Sequence, residues 1–201
     1  MPTISRRDLE LLFVGLEPAS EKLSGGFGGI TRFQKFLFLL EEEENIRANN
    51  NDGFEFTAYK AGPYSPKLYD DLEFLENLGL VESQATAEVT EEEAAEVAKL
   101  NFDDLMAESS EDIGAQDYDG PRAADAYTER RYRLTQSGIQ RVEKLLADGN
   151  YKPVIDAIRR IKSKYGKHSL LDLLHYVYSK YPAMTTESEI KDKVMRRRLR
   201  R

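Results

Sequence analysis

The sequence predicts a mostly α-helical fold with a small antiparallel β wing: a winged helix-turn-helix core followed by a C-terminal helical extension. Three observations carry this. Ile30 to Val81 reads as helix, short strand, turn, second helix and the start of a strand. Arg130 to Leu146 (RRYRLTQSGIQRVEKLL) reads as a strand followed by a helix. Two further apolar stripes at helical spacing follow Lys152 and Ser169. The expected division is a winged-helix core at 1–83 and 130–150, an acidic insertion at the wing over 84–129, and a helical basic extension over 151–201.

Taken in order, the first helix is expected to start at Ser5, an N-cap, with Asp8 in the first turn where the helix dipole favours negative charge. Leu9, Leu12, Phe13 and Leu16 supply its stripe. SGGFGG at 24–29 reads as a flexible loop. Thr31 with Gln34 fits a capping box for the next helix, whose stripe is Phe33, Phe36, Leu37 and Leu40. The Glu41–Glu44 run and the polar stretch after it are expected to end that helix. Phe54, Phe56 and Ala58 alternate with Glu55 and Thr57 as in a short strand. Gly62-Pro63 marks a turn, and Ser65-Pro66 reads as an N-cap with proline at the first helical position. Leu68, Leu72, Leu75 and Leu78 follow at helical spacing, and Gly79 suits a C-cap. Leu80-Val81 opens the wing, and Tyr132 with Leu134 closes it. Thr135 caps a helix to Leu146. Helices over Lys152–Tyr165 and Ser169–Tyr181 come next, and Pro182 stops the second. Thr186 with Glu189 suggests a last capping box before the basic tail Arg196–Arg201.

The 201 residues are 40% hydrophobic and 32% charged, which allows a core beneath a strongly solvated surface. No apolar run approaches the ~20 residues of a membrane span. The N-terminus lacks a signal-peptide pattern, so no membrane contact and a cytoplasmic location are expected. With no cysteine, thiolate chemistry and cysteine metal sites are excluded.

The net charge of −7 hides an asymmetry. Residues 1–81 hold 8 basic and 14 acidic side chains, a net of −6. Residues 82–129 hold 2 basic and 15 acidic, a net of −13, and residues 130–201 hold 19 basic and 7 acidic, a net of +12. The insertion is also poor in large apolar residues. A weak helix over Thr90–Leu105 and disorder over about Ala107–Tyr127 are expected there.

ITRFQKFLFLL, FEFTAYKAGPYSPKLYDDLEFLENLGLV and YRLTQSG together resemble the YwgA-like proteins, and more distantly the Panacea (SocA-like) antitoxin domain. The shared signature is Arg32, Gln34 and Lys35 on one helix, the Gly62 to Ser65 turn (Gly-Pro-Tyr-Ser), and a leucine-rich helix ending Leu78-Gly79-Leu80. It covers about residues 30–81 and 130–146. The resemblance implies a winged-helix-like core without catalysis, and some SocA-like members neutralise or deliver a toxin partner.

The preferred reading of the sequence is a regulatory protein that binds nucleic acid, and an antitoxin or adaptor role is the alternative. The first is nucleic-acid binding through Arg130, Arg131 and Arg133 at the closing wing strand and Arg159, Arg160, Lys162, Lys164 and Lys167 near the end of the helix Lys152–Tyr165, because clustered cations bind polyanions by releasing counterions. The helix Pro66–Leu78 is a poor groove reader: Lys67 stands against Asp70, Asp71, Glu73 and Glu76. The second reading is an antitoxin or adaptor holding a protein partner through Tyr64, Lys67, Tyr69 and Asp70. It requires an exposed apolar patch beside the acidic helix; the first requires the cations to converge. A weaker third reading is an accessory subunit of a nucleic-acid-processing machine. The helix Ser169–Tyr181 could support a homodimer. The glycines at 25–29 lack a phosphate-loop ending, and His168 and His175 lack further metal ligands. No cofactor and no enzymatic activity are expected.

Overall fold

The computed structural model describes residues 4–18, 20, 23, 26–48, 53–86 and 129–196. It is mostly helical with a small antiparallel sheet and a separate hairpin. The order is α1 (Arg6–Gly15), β1 (Phe27–Gly28), α2 (Ile30–Glu44), β2 (Thr57–Tyr59), β3 (Gly62–Tyr64), α3 (Lys67–Asn77), β4 (Val81–Thr86), β5 (Glu129–Leu134), α4 (Gln136–Ala147), α5 (Lys152–Tyr165), α6 (Leu170–Lys180) and α7 (Lys191–Met195). Short 3₁₀ turns at Gly149–Tyr151 and Pro182–Thr185 lead into α5 and follow α6.

α2 is the central element. Its residues Phe33 to Leu40 are all buried, as expected of a helix wrapped on every side. Phe13 of α1 meets Phe27, Phe33 and Phe36 at ring separations of 5.3 to 5.7 Å, in edge-on and tilted geometries that aromatic quadrupoles favour. α5 contributes Val154, Ile158 and Ile161 to the same core, and α6 contributes Leu173, Leu174 and Val177. The C-terminal helices therefore share one core with the first half of the chain. The stripe considered for dimerisation is buried within this one molecule.

The sheet has the order β1-β5-β4. Val81 pairs with Leu134 at one end of the β4–β5 ladder and Thr86 with Glu129 at the other. The acidic segment thus joins two paired residues. The expected helix Thr90–Leu105 and the disorder over about Ala107–Tyr127 lie outside the described residues.

Several caps formed as expected. Ser5 accepts from the Asp8 amide and Thr135 from Gly138; Ser169, not singled out in the sequence as a cap, also accepts from Asp172. Gly79, at φ 65°, closes α3 in a Schellman motif, with Gly79 N–H to the Glu76 carbonyl at 2.8 Å and Leu80 N–H to that of Leu75 at 2.9 Å.

Other expectations are corrected. Gly29, not Thr31, precedes α2, and no side chain caps it; Gln34 bonds elsewhere. The 24–29 segment is not all loop, because Phe27-Gly28 adds a strand beside β5, with its aromatic ring anchored in the Phe13 cluster. The strand expected over Phe54 to Ala58 starts later, at Thr57, and runs to Tyr59 as β2. The chain reverses at Lys60-Ala61, and Gly62-Pro63 belongs to β3. Ser65 does not cap α3; its hydroxyl donates to the Phe54 carbonyl. Leu78 is 56% exposed rather than buried. Thr186 and Glu189 make no capping box: α7 begins later, without a side-chain cap. β4 also runs past the expected boundary at residue 83, to Thr86.

Candidate functional site

The two halves of the Gln-Lys and Gly-Pro-Tyr-Ser signature bind each other. Gln34 Nε2 donates to the Ser65 carbonyl and Gln34 Oε1 accepts from the Ser65 amide, both at 2.9 Å. Lys35 Nζ donates to the Pro63 carbonyl at 2.8 Å. Burial lowers the Lys35 ammonium to about 7. These bonds fasten the β2–β3 hairpin and the start of α3 to the central helix.

Outside this fastening lies a row of tyrosines. Tyr59 and Tyr64 stand 4.8 Å apart, and Tyr64 and Tyr69 5.9 Å apart. The recess beneath them holds about 10 Å³, room for roughly one water, which is too little for a small-molecule site. Of the predicted partner-binding residues, Tyr64 and Tyr69 are thus brought together. Asp70 is exposed on α3. Lys67 is engaged by Glu55 at 2.8 Å and the Gly53 carbonyl at 3.1 Å.

α3 carries an exposed stripe at four-residue spacing: Asp70, Phe74 and Leu78, with Glu73 and Asn77 beside it. Phe74 is 38% exposed and Leu78 56%. Arg7 of α1 lies over the Phe74 ring at 3.7 Å and donates to Asp71 at 2.9 Å, so the ring is held from beneath rather than left to swing. Asp71 is buried against α1, where Arg6 also binds it. Phe74, Leu78 and Arg7 were absent from the sequence-derived site. The i, i+4, i+8 spacing from Asp70 was readable; its exposure was not.

The predicted cationic cluster is dispersed. Lys162 is a buried residue: its Nζ donates to the Leu16 carbonyl at 2.6 Å and lies over the rings of Phe13 and Phe27, and burial lowers it to about 8. Arg160 binds Glu44, with its closer contact at 2.6 Å. Lys164 binds Glu43 at 2.8 Å. Glu43 also accepts from Tyr165, Tyr176 and Lys180. Burial opposes its charge, but the bonds from Lys164, Lys180, Tyr176 and Tyr165 prevail and hold it at about 2. Arg159 donates to the Ser20 carbonyl at 3.4 Å. Lys167 and Arg130 are exposed. Arg131 and Arg133 alternate with core-facing Tyr132, so they share the outer sheet face, where Glu82 and Gln84 are their cross-strand neighbours.

Among the described residues no cluster of His, Asp and Glu could hold a metal, and no helix is long and apolar enough to cross a membrane. Comparison with family models, curated proteins and solved structures gives no match.

Proposed function

We propose that this chain is a non-enzymatic adaptor of winged-helix type that holds a protein partner on the outer face of α3. The observation that carries this reading is the exposed pair Phe74 and Leu78 on an acidic helix. Anchors of this kind, fixed by neighbours and ringed by polar groups, are where binding energy concentrates. The tyrosine row continues the surface at the N-terminal end of α3. The strand order β1-β5-β4, with three helices before the β4–β5 pair, supports the winged-helix reading. In that arrangement α3 takes the recognition-helix position. Its outward carboxylates disfavour a phosphate backbone there. The resemblance to SocA-like domains favours the same class of partner.

Nucleic-acid binding is the second reading, favoured by Arg131 and Arg133 on one sheet face with Arg130 exposed beside them. Lys162, Arg160 and Lys164 contribute little to it, since each already has an internal partner.

One experiment separates the two. A photo-crosslinking residue at position 74 or 78 is expected to capture a discrete protein from extract of the source cells, while the same probe at Glu143 on α4 does not. Phe74→Ala is expected to weaken that complex roughly 30-fold, about 2 kcal/mol. In parallel, fluorescence anisotropy with random duplex DNA across a salt series is expected to show no tight binding at physiological salt. Micromolar DNA binding that weakens steeply with salt, is unaffected by Phe74→Ala and is lost in an Arg131→Glu/Arg133→Glu variant would replace the adaptor reading with the nucleic-acid one.

A further inference from the structure

The seam between α1 and α3 contains a carboxyl group that the fold leaves without a donor. Glu10 is 0% exposed, and neither of its oxygens has a hydrogen-bond donor among the described residues. Asp71, across the seam on α3, is likewise buried, but it accepts from Arg6 Nη2 at 3.1 Å and Arg7 Nε at 2.9 Å, and Arg6 Nε also binds it. The two guanidiniums thus serve Asp71 and leave Glu10 in the core. An unpaired carboxylate there would carry a heavy desolvation cost, whereas a protonated carboxyl has an O–H to donate.

We propose that Glu10 keeps its proton at neutral pH and donates it to Asp71, so that one proton held between two carboxyls latches α1 to α3. The charged groups bearing on Glu10 are few. Asp71 faces it from α3, and Arg6 and Arg7 flank it on α1. On the other helices packed against α1, Arg141 of α4 is bound to Asp8 at 2.8 Å, and Lys162 of α5 is bound to the Leu16 carbonyl. Burial, then the Asp71 carboxylate, raises Glu10 well above the usual carboxylate range, against the opposing pull of Arg6 and Arg7. Loss of the proton would set two carboxylates side by side in the seam and loosen the seating of α3. The surface holding Phe74 and Leu78 would therefore be firm at neutral and mildly acidic pH and would soften as pH rises.

The sign follows from proton counting. Between the unfolded carboxyl range and the higher folded value, the native state binds the extra proton, so this contribution to stability falls as pH rises. The test compares wild type with Glu10→Gln, which keeps the shape and a donor but cannot ionise. Melting temperatures are measured from about pH 5 to about pH 9. The difference between variant and wild type is expected to grow with pH in favour of the variant. Taking the difference removes other titrations, including that of Lys35. Should Glu10→Gln fail to fold, carboxyl-labelled glutamate in the wild-type chain provides the second readout: one glutamate carbonyl resonance is expected to remain in its protonated position at neutral pH. A pH-independent difference, or ionisation at neutral pH of every glutamate except Glu41, whose carboxyl burial raises to about 7, overturns the proposal.

Discussion

Gly62 to Ser65 shows how four adjacent residues can each be required for a different reason. Gly62 has φ 87°, and a Cβ there would stand 2.8 Å from the Tyr178 ring of α6. Pro63 presents its carbonyl to Lys35, Tyr64 stacks between Tyr59 and Tyr69, and both backbone groups of Ser65 are bonded by Gln34. Gln34→Ala is expected to cost about 3 kcal/mol in denaturant unfolding, because it strands a buried amide and a buried carbonyl at once. Lys35 makes a different prediction. An unfolded lysine keeps its proton to about 10.4, whereas in the fold burial lowers it to about 7. Between those values the unfolded state binds more protons, so stability rises with pH. Lys35→Met is expected to flatten that rise over about pH 7 to 10, measured as the difference in unfolding free energy from wild type. Gly138 has an equally local cause. A Cβ there would lie 2.0 Å from the Leu80 carbonyl oxygen. Gly138→Ala should therefore cost up to about 3 kcal/mol, checked by urea unfolding.

At the scale of elements, periodicity told more than charge did. The expected helix Lys152–Tyr165 is α5 as observed, and its apolar stripe enters the core. Its cations were read as a nucleic-acid-binding cluster; the partners that Arg160, Lys162 and Lys164 have within the fold were not legible, because a sequence shows how many charges a helix carries but not what stands opposite them. Glu41–Glu44 was read as the end of α2, and α2 does end at Glu44. The run has a second role: Glu43 and Glu44 reach across to α5 and α6. Lys162 could be buried because its long stem spans to the Leu16 carbonyl, which has no partner within the helix where α1 ends. The hairpin was misplaced because Gly62-Pro63 carries the usual signs of a turn; the tertiary bonds from Gln34 and Lys35 place it in a strand. Glu43→Gln is expected to lower stability by about 2 kcal/mol near pH 7, since four donors lose a charged acceptor. The sign with pH is fixed by the depressed carboxyl. Its contribution is complete above the unfolded range near 4.3 and is lost as pH falls toward 2. The gap between wild type and variant in thermal unfolding should therefore narrow on acidification. A gap constant from pH 7 to pH 2 would mean that Glu43 acts through shape rather than charge.

For the whole molecule, the described core is a single cluster built from α1 and α2, the hairpin, α3, the sheet and the C-terminal helices. The helix-rich class and the antiparallel β4–β5 pair were legible because their periodicities and caps are local. β1 was not, since two residues in a glycine-rich stretch become a strand only when β5 is already beside them. The acidic segment enters and leaves this core at Thr86 and Glu129, which are partners across the ladder. The ladder should therefore tolerate its replacement by a tight Asn-Gly turn, the connection that best matches the twist of two antiparallel strands. Shortening a connection of some forty residues to two removes about four doublings of loop length, roughly 2.5 kcal/mol of closure entropy at ~0.6 kcal/mol each. The shortened chain is expected to melt cooperatively and at a higher temperature than the full chain. Its net charge would shift from acidic to basic, so any nucleic-acid affinity of Arg131 and Arg133 would be strongest in this variant. Loss of a cooperative transition would show that residues 87–128 complete the core rather than extend from it.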